Sequence, residues 1–175
     1  MTINLELIKK VRQLTSASIS DCRNALEEAG GDLDKAIKLL RQRGQEIALE
    51  KKDRLAQEGR IEAYVHLGNK IGVILEVNCE TDFVARSEDF RRFTRDLALQ
   101  IVAQAPLYIS REDIPKEERE KHREDLQEYI KNTCLLEQPF IKNPDITIKE
   151  YLEELIAKIR ENIVIRRFTR YELGK

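Results

Sequence analysis

Apolar residues recur at helical spacing through the first forty-odd positions, which predicts three short helices over residues 4–44. Asn4 is placed to cap the first, whose apolar face is Leu7, Val11 and Leu14, widened by Leu5 and Ile8. A turn at Thr15–Ser18 follows. Ser18-x-x-Asp21 has the form of a capping box, with Asp where Glu or Gln is usual. Cys22, Ala25, Leu26 and Ala29 form the inner face of the second helix. Gly30-Gly31 ends it, because the left-handed position after a helix favours glycine. Asp32 caps the third, with Leu33, Ala36, Ile37 and Leu40 inside, and Gly44 is expected to stop it. Gln45–Glu58 is polar and helix-compatible, with Lys51, Lys52 and Arg54 close together, and reads as a helical linker.

From Arg60 the apolar period changes to two. Ile61, Ala63, Val65 and Leu67 alternate with Glu62, Tyr64 and His66; Gly68-Asn69-Lys70 makes a hairpin turn. Ile71, Val73, Leu75, Val77 and Cys79 alternate on the return strand. A long helix then runs from Ser87 to Ala105 with Phe90, Phe93, Leu97 and Ile101 on one side, and Pro106 ends it. Leu107–Ile109 is a short extended piece, and Pro115 opens a charged surface helix to about Asn132. Asn143-Pro144-Asp145 is a turn, and Thr147-x-x-Glu150 is a capping box opening a helix with Leu152, Leu155, Ile156 and Ile159. The tail, Asn162 to Tyr171, returns to strand character. Three strands separated by helices predict an α+β core with an antiparallel sheet. The face carrying Ile61, Val65, Val73, Leu75 and Ile163 is expected to pack on the helices. The other, with Tyr64, His66, Ile74, Val164 and Phe168, is half apolar and calls for a partner.

Composition narrows the function. Charged residues make up 36% of the 175 and hydrophobic ones 41%, a balance suited to long helices with solvated faces around a real core. The 31 basic and 32 acidic residues leave a net charge of −1, so no global field draws in nucleic acid or anionic lipid, and a protein partner is expected instead. No apolar run approaches a membrane span, and the N-terminus lacks the pattern of a signal peptide. Three scattered cysteines, Cys22, Cys79 and Cys134, suit a reducing cytoplasm rather than a disulfide framework. Two histidines, without Cys or His pairs at ligand spacing, leave no zinc site. A Gly-rich phosphate loop, a nucleophile elbow and a convergent set of acids and His are all missing, so neither an enzyme nor a cofactor is expected.

The most distinctive stretch lies between the second strand and the long helix. Glu76-Val77-Asn78-Cys79-Glu80-Thr81-Asp82-Phe83-Val84-Ala85-Arg86 sets a Phe beside an acid at a strand-to-helix turn, where it serves its own core poorly. This run closely resembles the signature of the elongation factor Ts family, and the likeness extends to the tail, Glu161 to Phe168, and over nearly the whole chain. The resemblance implies a ubiquitin-associated-like three-helix domain at 1–45, a helical linker at 46–59 and an exchange module at 60–175. Longer members carry a second copy of that module, which this chain lacks. It implies a guanine-nucleotide exchange factor for elongation factor Tu in a bacterial-type cytoplasm, an organelle-encoded copy being indistinguishable. Asp82 and Phe83 would enter the partner's G domain near its magnesium and phosphate loop, with Thr81, Val84 and Arg86 shaping the loop. Arg12 and the turn with Ile19 and Ser20 correspond to a second contact patch. Serines replace the family's usual glycines at positions 16 and 18, and Ser20 stands where a methionine is usual. A short member is expected to pair sheet to sheet as a homodimer. The alternative from another class is a ubiquitin-like-binding adaptor resting on the three helices alone; it leaves residues 60–175 without a role.

Overall fold

A computed structural model describes residues 4–175. The chain divides into two compact units: residues 1–54 with 152–162, and 55–151 with 163–175.

The first unit contains α1 (Leu5–Thr15), α2 (Ile19–Glu28) and α3 (Leu33–Lys51). Each is started by the side chain its sequence nominates: Asn4 accepts from the Glu6 amide at 3.0 Å, Ser18 from Asp21 at 3.1 Å, and Asp32 from Lys35 at 3.0 Å. Gly30 and Gly31 end α2 with φ of 63° and 87°, the conformation for which glycine carries no Cβ penalty. The core is Ile8, Val11, Cys22, Ala25, Leu26 and Ala36, flanked by Leu7, Ala29, Leu33, Ile37 and Leu40. Two expectations change. The buried stripe of α1 is Ile8, Val11 and Thr15, leaving Leu14 and Leu5 exposed. Gly44 does not stop α3, which runs on to Lys51, so the first seven residues of the expected linker are its last turns. Glycine lowers helix propensity by only about 1 kcal/mol, too little to end a helix that packing supports on both sides. Here Gly44 is buried, close to Ala157 and the Glu153 carbonyl.

The second unit is built on β1 (Glu58–Val65), β2 (Ile71–Cys79) and β5 (Val164–Glu172), an antiparallel sheet in the order β1-β2-β5. Helices α4 (Asp82–Arg86) and α5 (Glu88–Gln104) lie against β1 and β2. Phe90, Phe93, Leu97 and Ile101 of α5 are fully buried, at the spacing read from the sequence. Thus the expected α+β architecture is observed, with its N-terminal helices and a three-stranded antiparallel sheet.

The phase of β1 is opposite to expectation. Glu62 pairs with Leu75 and Tyr64 with Val73, so these residues share the helix-covered face, while Ile61, Val65 and Ile74 are exposed on the other. Alternation fixes the period of a strand but not which parity points inward. An acid at an inward position is sustained by its partners: the Arg60 guanidinium lies 2.8 Å from Glu62, and the Thr94 hydroxyl donates to it at 3.2 Å. Phe168, opposite Leu75, likewise belongs to the covered face rather than the free one, and Tyr64 and His66 are half-buried. Val73, Leu75 and Ile163 are buried as anticipated.

Beyond α5 the structure departs from expectation in two places. Instead of one charged helix there are two, α6 (Lys116–Lys121) and α7 (Leu126–Thr133), broken where His122 stacks on Tyr129 at 3.9 Å. Asn143-Pro144-Asp145, read as a turn, instead begins β4 (Asn143–Thr147), which pairs with β3 (Pro139–Phe140) in a small sheet. Helix α8 (Ile148–Ile159) starts from the reciprocal box of Thr147 and Glu150: the Thr147 amide donates to Glu150 at 2.8 Å, and the Glu150 amide to Thr147 at 3.2 Å.

Candidate functional site

The stretch from Thr81 to Arg86 folds as a helix too short to stand alone, so what fixes it is its surroundings. Thr81 caps it, its hydroxyl accepting from the Val84 amide at 3.4 Å, while the Thr81 carbonyl accepts from the Cys79 thiol at 3.2 Å. Asp82 and Arg86 pair at 2.8 Å across one turn, with the acid on the N-terminal side as the helix dipole favours. Ser87 then works on two helices. Its amide closes α4 on the Val84 carbonyl at 3.0 Å, and its hydroxyl caps α5 through the Phe90 amide at 3.2 Å.

Ala85 is the buried residue of α4. Phe83, two positions earlier, lies roughly 200° round the helix and therefore points away from the body of the unit. It is 83% exposed, more so than any other aromatic side chain that is conspicuously uncovered here. A ring so placed contributes almost nothing to its own fold. Val84 is half-buried and Asp82 half-exposed. The five residues expected to act together at this site all lie on α4 or at its N-cap, with the buried Ala85 among them.

Beside α4 lies a notch lined by Glu58, Gly59, Arg60, Asp82, Ala85, Arg86 and Arg91. Sequence reasoning missed Gly59, Arg60 and Arg91. Gly59 carries a signal, since a glycine at the start of a strand marks a bulge or a close approach. Its φ is 147°, and a Cβ there would lie 2.2 Å from the Val77 carbonyl oxygen. Arg91 carries none: on the polar side of an amphipathic helix, it reads as a solvated charge.

In the first unit, Arg12, Ile19 and Ser20 all line one groove, together with Arg41, Arg43, Glu154 and Lys158. Ile19 is 57% exposed at the start of α2. The Ser20 hydroxyl is held by Ser18 at 2.8 Å, so it faces its own cap. The turn is shaped by Ser16, in the left-handed region at φ 54°, where glycine would sit more easily.

Other chemistry is sparse. Among the described residues no group of three or more His, Cys, Asp or Glu could hold a metal ion. Nor is any helix long and apolar enough to cross a membrane. The three cysteines are buried and none is in a disulfide among the described residues, and burial pushes the thiols of Cys22 and Cys134 up from their ordinary value.

Comparison with known proteins places the chain among named relatives. A family described as "Elongation factor TS" matches residues 4–127 and 124–175. The chain is 50% identical to "Elongation factor Ts" of Carboxydothermus hydrogenoformans, over 99% of this chain and 90% of that protein. It is 46% identical to the protein of that name in Caldanaerobacter subterraneus, over 99% and 98% of the two chains. For Thermotoga petrophila the identity is 45%, over 100% and 98%.

Proposed function

The chain belongs to the elongation factor Ts family, a group of translation elongation factors, and on that footing we propose that it promotes release of GDP from elongation factor Tu. The observation that carries this reading is Phe83, 83% exposed on a helix fixed at both ends. Asp82 and Phe83 are the wedge. Thr81, Val84 and Arg86 hold its shape, through the cap, the half-buried contact and the pair with Asp82. Arg12, Ile19 and Ser20 supply a second contact.

A G domain holds its nucleotide through phosphate-loop amides and a magnesium ion. A wedge that displaces either weakens the grip without any acid, base or metal of its own. Burying one phenyl ring is worth about 1.5–3 kcal/mol, and each tenfold in rate needs about 1.36 kcal/mol. Phe83 therefore accounts for one to two decades of acceleration, and the rest falls to the wider interface. The coupling is reciprocal: GDP weakens this protein's hold on its partner by the same factor.

The free sheet face is proposed to pair with that of a second copy in a homodimer. Ile61, Val65, Ile74 and Tyr171 are each more than half exposed on or beside it, an apolar surface of the kind that seeks a partner. The setting proposed is a bacterial-type cytoplasm. The adaptor alternative gives Phe83 no task, and no observation favours it.

The test is release of a fluorescent GDP from elongation factor Tu, with this protein and with Phe83→Ala. Strong acceleration that the substitution cuts by about 10- to 100-fold is expected. No acceleration by the unaltered protein, with an active partner, would overturn the proposal.

A further inference from the structure

The direction in which Phe83 leaves the surface depends on the angle between α4 and α5. That corner has one residue, Ser87, in an extended conformation at φ −64°, ψ 151°. Its amide and hydroxyl secure the two helix ends, but a single residue leaves the last carbonyls of α4 open to water. One of them is held from the far side of the corner. Arg91, in the first turn of α5, donates to the Arg86 carbonyl through both Nε (2.9 Å) and Nη2 (2.6 Å). Two N–H groups converging on one oxygen set both distance and direction, which a single flexible donor does not.

The neighbouring arginines do not share this task. Arg86 is taken by Asp82, and Arg60 by Glu62. Every guanidinium in the notch thus donates to an acceptor of this chain, and of these three arginines it is Arg91 that bridges from α5 to the backbone of α4. Thr94 follows within the same turn of α5, and its single hydroxyl proton is shared between the Arg91 carbonyl at 3.0 Å and Glu62 of β1 at 3.2 Å. The chain of contacts runs from the sheet through α5 to the helix that carries Phe83.

We propose that Arg91 is a positioning residue for nucleotide exchange: its guanidinium clasps the end of α4 and fixes the angle at which Phe83 is presented. The inference rests on the exchange reading. Loss of the clasp leaves Phe83 present but misdirected. A contribution of the size usual for an intramolecular hydrogen bond then lowers maximal exchange by about 2- to 10-fold.

The experiment is a double-mutant cycle on fluorescent-GDP release at saturating exchange factor, with the full chain, Arg91→Ala, Phe83→Ala, the double variant and Arg91→Lys. Arg91→Ala is expected to slow maximal release in the Phe83 background and to change it by less than about twofold in the Phe83→Ala background, since nothing is then left to aim. Arg91→Lys keeps the charge but not the fork, and is expected to behave like Arg91→Ala. Equal losses in both backgrounds would show that Arg91 touches the partner or supports the fold generally, and would overturn the clasp. So would full activity of Arg91→Lys, which would make charge alone sufficient, or full activity of Arg91→Ala. The exchange reading fails separately, if the unaltered chain, with Arg91 in place, gives no acceleration; acceleration that Phe83→Ala matches would keep exchange but remove the wedge, and the clasp with it.

Discussion

Replacing glycine by alanine at positions 59 and 44 should move stability in opposite directions. At Gly59 the backbone has φ 147°, a region that L side chains rarely adopt. Strain of that kind amounts to about 1–3 kcal/mol. The added Cβ would lie 2.2 Å from the Val77 oxygen and 2.7 Å from Asn78 Cα, roughly 1 Å inside ordinary contact. Both neighbours are backbone of β2, the central strand, which is paired on each side and cannot retreat without loosening a ladder. Overpacking adds about 1–3 kcal/mol, so Gly59→Ala should destabilise by about 2–6 kcal/mol in all. Gly44 is the reverse case. It sits inside α3, and a Cβ there would meet Ala157 and the Glu153 carbonyl at 3.8 Å, ordinary contact. Removing the helix penalty of glycine should stabilise by about 0.5–1 kcal/mol. Urea unfolding followed by circular dichroism, with the slope m checked for constancy, reads both values. A Gly59→Ala variant within about 0.5 kcal/mol of the parent would refute the close approach of β1 to β2. A destabilised Gly44→Ala would refute the unbroken α3.

Three further outcomes are expected. Lys142→Met should cost about 1–3 kcal/mol, because Asp96, whose side chain is only 6% exposed, loses its 2.6 Å partner and keeps the Tyr151 hydroxyl at 3.1 Å; an unchanged urea midpoint would contradict it. Ile74→Arg, on the free sheet face, should bring the light-scattering mass from about twice 20.4 kDa to the single-chain value, and a parent already at 20.4 kDa would remove the proposed homodimer. The Asp32 carboxyl is held below its ordinary 3.8, chiefly by the Lys35 amide, so its contribution is complete above that pH and is lost as pH falls through the lowered value. Asp32→Asn keeps an acceptor for the cap, and its helix signal should lack that acid-side step; an identical acid titration in the two proteins would show that the cap carries no charge effect.

What the sequence made legible was local. A cap needs only a short polar side chain two or three residues before a free amide, so Asn4, Ser18, Asp32 and Thr147 could be recognised without knowing their surroundings. The exposed Phe83 was legible as a Phe beside an acid at a strand-to-helix turn; that this turn is a five-residue helix whose inward residue is Ala85 is what the structure adds. What stayed hidden depends on partners distant in sequence. The phase of β1 turns on Arg60 and Thr94 holding Glu62 inward, and Thr94 is thirty-two residues away. The break between α6 and α7 accompanies the stacking of His122 on Tyr129, and the Arg119 guanidinium reaches back to the carbonyls of Arg111, Glu112 and Ile114. The β3–β4 pairing places Pro144 within a strand of an isolated two-stranded ladder, where a missing amide is tolerated.

On the proposed reading, the placement of Phe83 follows from what an exchange factor must do energetically. A wedge already packed into its own chain would have to leave that site before acting, and would return to the partner only the difference between two burials. Held at 83% exposure, Phe83 forfeits nothing on leaving water, and its full transfer of about 1.5–3 kcal/mol is available at the interface. Delivery of that energy as strain on the nucleotide site requires that the wedge not yield first. A loop free to fold aside would bury the ring in a shallow contact and leave the phosphate loop untouched. The cap at Thr81, the Asp82–Arg86 pair and the Arg91 clasp each remove a way for α4 to yield. Even so, one ring supplies at most two decades. The groove around Arg12 and Ile19 belongs to the other unit and is proposed as a second contact, separate from the wedge's task. Substitution at Ile19 should therefore weaken association at low concentrations of this protein and spare maximal release, whereas Phe83→Ala should lower the maximum itself. A titration of exchange rate against concentration separates the two, and a lowered maximum in Ile19→Ala would place that patch in the wedge's own task.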